Sequence, residues 1–341
     1  MIDGRQTFDG RPLLWQNFDS DERLVQAVFF KGEMYDYIAL VNGLDTSHVF
    51  SGLNTAAFGI VLNSPNSDPT DMLKTALATC ADIDDFDALW HAADSLGDNV
   101  SIACIDAYGG AILYDANGRH SAAHQGPSSD GFLVRSSFSF NNQQPNPEIW
   151  RYHRSRDLLK IQGRSKSVKT VIQKISRDAK TMNNDFVALP FAGSINGAPF
   201  GHIPMQHCIN QHNTAASVLI HGVRPQENPD FATMWMTLGE PACGVAVPMW
   251  PVTGETPFEC RGEDNVLNTI IRANERDMYN RKEFQAFLNT QIYADRNRGL
   301  LSILLKIENK VFNDTGKALA SWRKKNDYLD AVSYTHLRAH E

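Results

Sequence analysis

The sequence predicts an α+β layered sandwich built on antiparallel sheets, and three observations predict it. Short apolar runs separated by turn residues fill the first 140 residues, without βαβ alternation. A helical, basic segment follows over 148–181, and apolar strands return between 217 and 249. Helical periodicity then closes the chain over 264–325. Strands, helices, strands and helices in that order suit hairpin-built sheets covered by helices, since parallel pairs would need crossover helices between the strands.

Taken in order, runs 24–30 and 35–41 flank a turn at Lys31-Gly32 and read as a hairpin. Run 57–62 follows the turn-like Gly52-Leu53-Asn54. Runs 99–106, 111–115 and 131–140 continue the pattern, with Gly109-Gly110 and Asn117-Gly118 as turns. Between them, 69–93 reads as one helical stretch in which Leu73, Ala76, Leu77 and Cys80 share a face. The segment 148–181 carries Arg151, Arg154, Arg156, Lys160, Lys166 and Arg177 among its cations, against only Glu148, Asp157 and Asp178. The whole chain is acidic, so the expectation is a pair of solvated outer helices. Runs 217–223, 232–238 and 244–249 are the later strands. Without an internal repeat or low-complexity linker, 1–330 reads as a single domain. Residues 331–341 resemble a translated sequencing adapter and are set aside, together with the metal-like spacing of His336 and His340.

A net charge of −7 argues against a nucleic-acid partner, because phosphate neutralisation needs a positive surface. No stretch approaches 18 uninterrupted apolar residues, so no membrane-spanning helix is expected. The first residues, Met1-Ile2-Asp3-Gly4-Arg5, hold no apolar signal core, which leaves localisation open. The five cysteines are too few and too scattered for a disulfide scaffold, and no CxxC occurs. Cys80 and Cys104 lie on apolar faces and read as core; Cys243 opens an apolar strand, and Cys260 falls in a polar loop. Cys208 lies beside His207 and near His212, but three mixed ligands without a second cluster do not make a metal site, and no cofactor is expected. GxSxG, GxGxxG and Walker sequences are all absent.

Three segments exceed what packing requires. They are Asp9-Gly-Arg-Pro-Leu-Leu-Trp-Gln-Asn-Phe-Asp19, Phe50-Ser-Gly-Leu-Asn-Thr-Ala-Ala-Phe-Gly-Ile-Val-Leu-Asn63, and Gly131-Phe-Leu-Val-Arg-Ser-Ser-Phe-Ser-Phe140. A turn followed by a strand accounts for their glycines and apolar alternation. It leaves Asn17, Asp19, Asn54, Asn63 and Arg135 without a role.

The first segment resembles the DGRPLLWKNRD-type stretch of the linear amide hydrolases, the N-terminal-nucleophile group that spans choloylglycine hydrolases, penicillin V acylase and acyl-CoA:6-aminopenicillanate acyltransferases. The second is similar to their G-x-N-x-x-G hairpin, and the third to their L-x-R-T-N-F strand. Segments 214–227 and 232–241 resemble the closing strands of the same group. The resemblance runs from about residue 5 to about residue 325 and rests on five motifs in order, none strong alone.

That resemblance implies a four-layer αββα sandwich and a nucleophilic cysteine as first residue of the mature chain. Its own α-amine, with an ordinary pKa near 8, would take the thiol proton. An oxyanion donor in such a site typically lowers the barrier by about 3 kcal/mol. Carried over by motif, Asp19 is the orienting carboxylate and Asn17 the asparagine two positions before it. Asn63 is the pocket-facing amide, with Ser64 as rival, and Arg135 is the arginine of the third motif. Ser137 stands where the family has its oxyanion asparagine. The implied partner is a small-molecule acyl-amide, and relatives often form homo-oligomers. Aromatic pocket candidates are Phe18, Tyr35 and Phe138, although such residues are more often core.

Three departures accompany the resemblance. The nucleophile should precede Arg5 on a strand, yet the chain there reads Met1-Ile2-Asp3, as if truncated by a few residues. Gln16 replaces an Arg or Lys, and Ser136-Ser137 replaces Thr-Asn. The sequence therefore carries three expectations: an amide hydrolase with its cysteine upstream, an acyltransferase using the same acyl-enzyme, or a non-catalytic binding protein with the same fold.

Overall fold

The computed structural model describes residues 1–63, 69–93, 100–117, 120–125, 130–136, 148–184, 187–195, 197–282, 285–296 and 298–325. Its strands are β1 (Leu13–Asp19), β2 (Val25–Phe30), β3 (Tyr37–Asn42), β4 (Val49–Asn54), β5 (Gly59–Asn63), β6 (Val100–Ile105), β7 (Ala111–Asn117) and β8 (His120–Gln125), then β9 (His202–Pro204), β10 (Thr214–His221), β11 (Thr233–Thr237), β12 (Val247–Met249), β13 (Tyr279–Lys282) and β14 (Gln285–Asn289). The helices are α1 (Thr70–Thr79), α2 (Ile83–Ala92), α3 (Glu148–Ile161), the short α4 (Val168–Thr170) running into a π-helical turn (Val171–Ile175), α5 (Val266–Met278), α6 (Thr290–Ala294) and α7 (Leu300–Lys325).

The fold class is α+β with antiparallel sheets. β2 to β8 form a seven-stranded meander in sequence order, and β1-β10-β11-β12 form a four-stranded sheet. Period-two alternation decides which residues lie between them. Ile38 and Leu40 of β3, Val61 of β5 and Ala103 and Ile105 of β6 meet Leu14 of β1, Val218 and Ile220 of β10 and Met234 and Met236 of β11. The alternate residues of the seven-stranded sheet, including Ala39, Ile60, Ile102 and Tyr114, pack with Leu73, Leu77, Phe86 and Trp90 of α1 and α2. On the far side of the four-stranded sheet, Leu13, Leu219 and Trp235 meet Leu159 of α3 and Val171, Ile172 and Ile175 of the π-helical turn.

Two glycines set how closely these layers approach. A Cβ on Gly59 would lie 3.0 Å from Cδ1 of Ile220 across the inter-sheet core, and one on Gly52 would lie 2.5 Å from Cδ1 of Leu77 on α1. Asn54 explains the second motif in the same architectural terms. Its amide donates to the carbonyls of Leu77 (3.0 Å) and Cys80 (2.8 Å), and its Oδ1 accepts from the amides of Ala56 and Phe58. One buried side chain thus closes the β4–β5 turn, where Ala57 sits at φ 63°, and ties it to the end of α1.

Several expected elements differ. The stretch 69–93 is two helices, because Asp82 caps the N-terminus of α2 by accepting from the amide of Asp85, and the chain turns at Cys80. Gly52-Leu53-Asn54 lies within β4, and the turn comes after it. The closing helical region contains the β13–β14 hairpin, which pairs with β9 in a third sheet. The basic segment is only partly solvated: Arg151, Lys166 and Arg177 are buried, and Arg154 pairs with Asp178 at 2.7 Å. Cys260 is fully buried in the inter-sheet core, not in a solvated loop. Ser64, Ser137, Phe138 and residues 331–341 lie outside the described residues.

Candidate functional site

β1 is an edge strand, and its open edge is where the candidate site forms. Ile2 pairs antiparallel with Leu13 on one side and with Phe132 on the other, so the first residues extend the four-stranded sheet. Ile2 and Leu13 exchange backbone hydrogen bonds of 2.8 and 3.0 Å. The α-amine of Met1 donates to the carbonyl of Leu133 at 2.9 Å. Burial disfavours the ammonium form and lowers this amine to about 5, so it is neutral at pH 7.

Beyond Met1 the edge opens into a cavity of about 130 Å3. Its wall on the seven-stranded sheet consists of two adjacent rungs. Val61, Ala103 and Leu113 pair across β5, β6 and β7 as an apolar rung. Asn63, Ser101 and Asp115 pair as the next rung along, and it is polar. All but Asp115 line the cavity directly. Arg135 lies over the polar rung, with Nε 3.3 Å from Ser101 Oγ and Nη2 3.2 Å from Asp115 Oδ1. Ser101 also donates to Asp115.

The opposite wall comes from β1, the 131–136 segment and α3. Gln16 projects between the sheets, and its Nε2 donates to the carbonyl of Leu62 on β5. That bond fixes the amide's orientation and leaves Oε1 buried without a partner among the described residues. Asn17 points the other way, toward the helices, where its Nδ2 donates to the carbonyls of Ser176 and Ile209 at 2.9 Å each. Its Oδ1 is likewise buried and unpartnered. Arg151 and Ser155 of α3 complete the lining with Leu133, Leu159 and Ile209.

Of the residues singled out in the sequence, Asn17, Asn63 and Arg135 line this one cavity. Asp19 does not. It lies at the end of β1 on the helix-facing side, where Oδ2 accepts from Arg151 Nη1 (2.5 Å) and Gln211 Nε2 (2.9 Å), and Oδ1 accepts from Thr214 Oγ1 (2.7 Å). Its carboxylate thereby fixes Arg151, which reaches the cavity. Phe18 stacks on Phe50 in the core, 4.3 Å between ring centroids, and is not part of the lining. The sequence reading missed Ser101, Arg151 and Ser155. Ser101 interrupts an apolar strand on its inward face, a signal that could have found it; Arg151 was indistinguishable from the other cations of its helix.

The internal cysteines are all buried and free. Burial pushes Cys80 up to about 11 and Cys104, Cys208 and Cys243 well above the ordinary thiol value, so none is poised as a thiolate. The Sγ of Cys208 donates to the carbonyl of Asn210. Among the described residues no group of three His, Cys, Asp or Glu side chains is arranged to hold a metal ion.

No protein-family profile matches the sequence, and no curated protein matches it. Solved structures do. Penicillin V acylase from Agrobacterium tumefaciens superposes with a TM-score of 0.44, at 9% identity, over 73% of this chain and 84% of that one. Two variants of the conjugated bile acid hydrolase from Clostridium perfringens superpose with a TM-score of 0.44, at 10% identity, over 72% of this chain and 90% of theirs. A likeness of that degree gives no residue of this chain a role.

Proposed function

We propose that the protein's fold serves to hydrolyse non-peptide amide bonds of small acyl-amides, through an acyl-enzyme formed on a cysteine that precedes Met1. The observation that carries this reading is the single antiparallel bridge of Ile2 with Leu13 at the mouth of the cavity. Continued in the same register, that bridge would put Met1 opposite Leu14, the preceding residue opposite Trp15, and the one before that opposite Gln16. A residue placed there enters the space bounded by Asn17, Asn63 and Arg135, and the five ordered motifs of the sequence independently lead to the same segment.

In this reading the free α-amine of the cysteine accepts the thiol proton, and the thiolate attacks the amide carbon. Side-chain donors hold the oxyanion; Arg135 and the Asn63 amide are the candidates, with the Ser137 hydroxyl a third by sequence. The amine leaves with the proton, and water then resolves the thioester. Asp19 acts as a positioning residue through Arg151. The second reading, a binding protein with a degraded site, draws on Gln16, whose amide is tied to a backbone carbonyl where relatives carry a cation.

The upstream coding sequence provides the first test. A Cys-Thr pair immediately before Met1 is expected, and a nucleophile position there that is neither cysteine, serine nor threonine ends the catalytic reading. The second test is covalent labelling with a radiolabelled acyl-amide. A chain extended by that cysteine is expected to take up hydroxylamine-labile label, and the chain starting at Met1 to take up none.

A further inference from the structure

We propose that a second cavity, walled by the π-helical turn, β9, α6 and α7, binds a small amphipathic carboxylate, its apolar body against Val187, Ile203 and Leu301 and its acid group between Tyr293 and Lys174. None of its lining residues borders the cavity at the edge of β1, so the proposal is independent of the hydrolase reading.

The apolar side follows from where the wall residues come from. Ala179 and Val187 follow the π-helical turn, Ile203 lies on β9, Tyr293 on α6 and Leu301 on α7. They pack into one cluster, yet the converging elements do not fill the space between them. That space is about 170 Å3, several times what one water molecule needs, and its surface is mostly apolar. It favours hydrocarbon over water.

Most polar groups around it are already engaged. Arg177 is matched by Glu308, and Asp178 by Arg154. The ammonium of Lys180 donates to the carbonyls of Asn184 and Val187. The Gln173 amide donates to Glu308 and Asn309, at 3.3 and 3.4 Å.

Two donors remain. Tyr293 is only 3% exposed, and its hydroxyl has no hydrogen-bond partner among the described residues. That hydroxyl is not one of the sealed polar atoms without partners, so the access it retains is through the cavity that Tyr293 lines. Burial keeps the phenol protonated, and it can therefore donate. Lys174 is exposed at the rim and makes no ion pair among the described residues. Two donors, one of them charged, are answered by an anion with two acceptor oxygens. An amine ligand would meet Lys174 as a like charge.

Titration of the protein at pH 7 with hexanoate, hexanol and hexylamine, followed by methyl NMR, tests this. Hexanoate is expected to shift the methyl signals of Val187, Ile203 and Leu301 saturably. Hexanol should bind about tenfold more weakly, and hexylamine not at all. Tyr293→Phe keeps the ring in its apolar cluster and should weaken hexanoate about tenfold, the equivalent of one hydrogen bond to a charged group. Lys174→Ala should bring hexanoate down to the affinity of hexanol. The proposal is overturned by the absence of saturable shifts at those methyls, by hexylamine binding as tightly as hexanoate, or by unchanged hexanoate affinity in both variants. Shifts confined to Val61 and Leu113 would place hexanoate in the other cavity and overturn it equally. If a thermal melt shows that Tyr293→Phe does not fold, the wild-type titrations and the exposed Lys174→Ala decide the matter. Acyl labelling, on which the hydrolase reading stands, is untouched by either outcome.

Discussion

Glu308 accepts from Nη1 and Nη2 of Arg177, at 2.8 Å each, and from the amide of Ala246 at 3.0 Å, with both side chains almost wholly buried. Arg177 also donates to the carbonyls of Pro241 and Gly244, at 2.7 Å each. This pair locks the π-helical turn, the loop before β12 and α7 together. Removing one partner strands a buried charge, so Glu308→Ala should cost about 3–5 kcal/mol, measured as a lowered urea midpoint. Residue by residue, the sequence marked polar positions that packing could not explain but did not sort them by purpose. Asn54 and Asn63 look alike at strand ends; one closes a turn and the other lines the cavity. Gln16 and Asn17 are neighbours, and the alternation of β1 sends one between the sheets and the other toward the helices.

At the scale of elements, the loop between β9 and β10 gathers a second buried polar system. Glu240 accepts from Asn210 at 2.6 Å and from the Tyr279 hydroxyl at the start of β13, with Glu275 of α5 nearby and Arg23 bound to Glu275 at 2.6 Å. Burial, reinforced by the charge of Glu275, pushes the Glu240 carboxyl from 4.5 up to about 8. The folded state therefore holds this proton more tightly than the unfolded chain. Its contribution to stability is complete below about 4.5 and declines as pH rises through about 8. Glu240→Gln keeps an acceptor for Asn210 and Tyr279 and should flatten that decline, seen as melting temperature against pH. None of this was legible as an element. The β13–β14 hairpin hides in a polar stretch whose spacing also fits a helix, and only pairing with β9 reveals it. The early hairpins were legible because β-branched and aromatic runs there alternate with turn residues.

For the molecule as a whole, the two large sheets meet through side chains of opposite strands, and Ile220 of β10 is central, seated over Gly59. Ile220→Ala would leave a void that neither sheet can close, at a cost of about 2–5 kcal/mol, read from chemical denaturation. The layered class followed from the order of strands and helices, because hairpins of one apolar face must find another such face to cover. The cavity did not, since it is made where β1, the seven-stranded sheet and α3 converge from distant parts of the chain.

The pairing of Ile2 with Leu13 also bears on handling the protein. A long segment fused ahead of Met1 and continued in that register past the place proposed for the cysteine would run along the edge of β1 and crowd the cavity. An affinity handle at that end would act as a tethered plug, present at high local concentration and blind to dialysis. Binding measurements should then differ between a protein tagged at the front and the same protein after the tag has been cut flush at Met1.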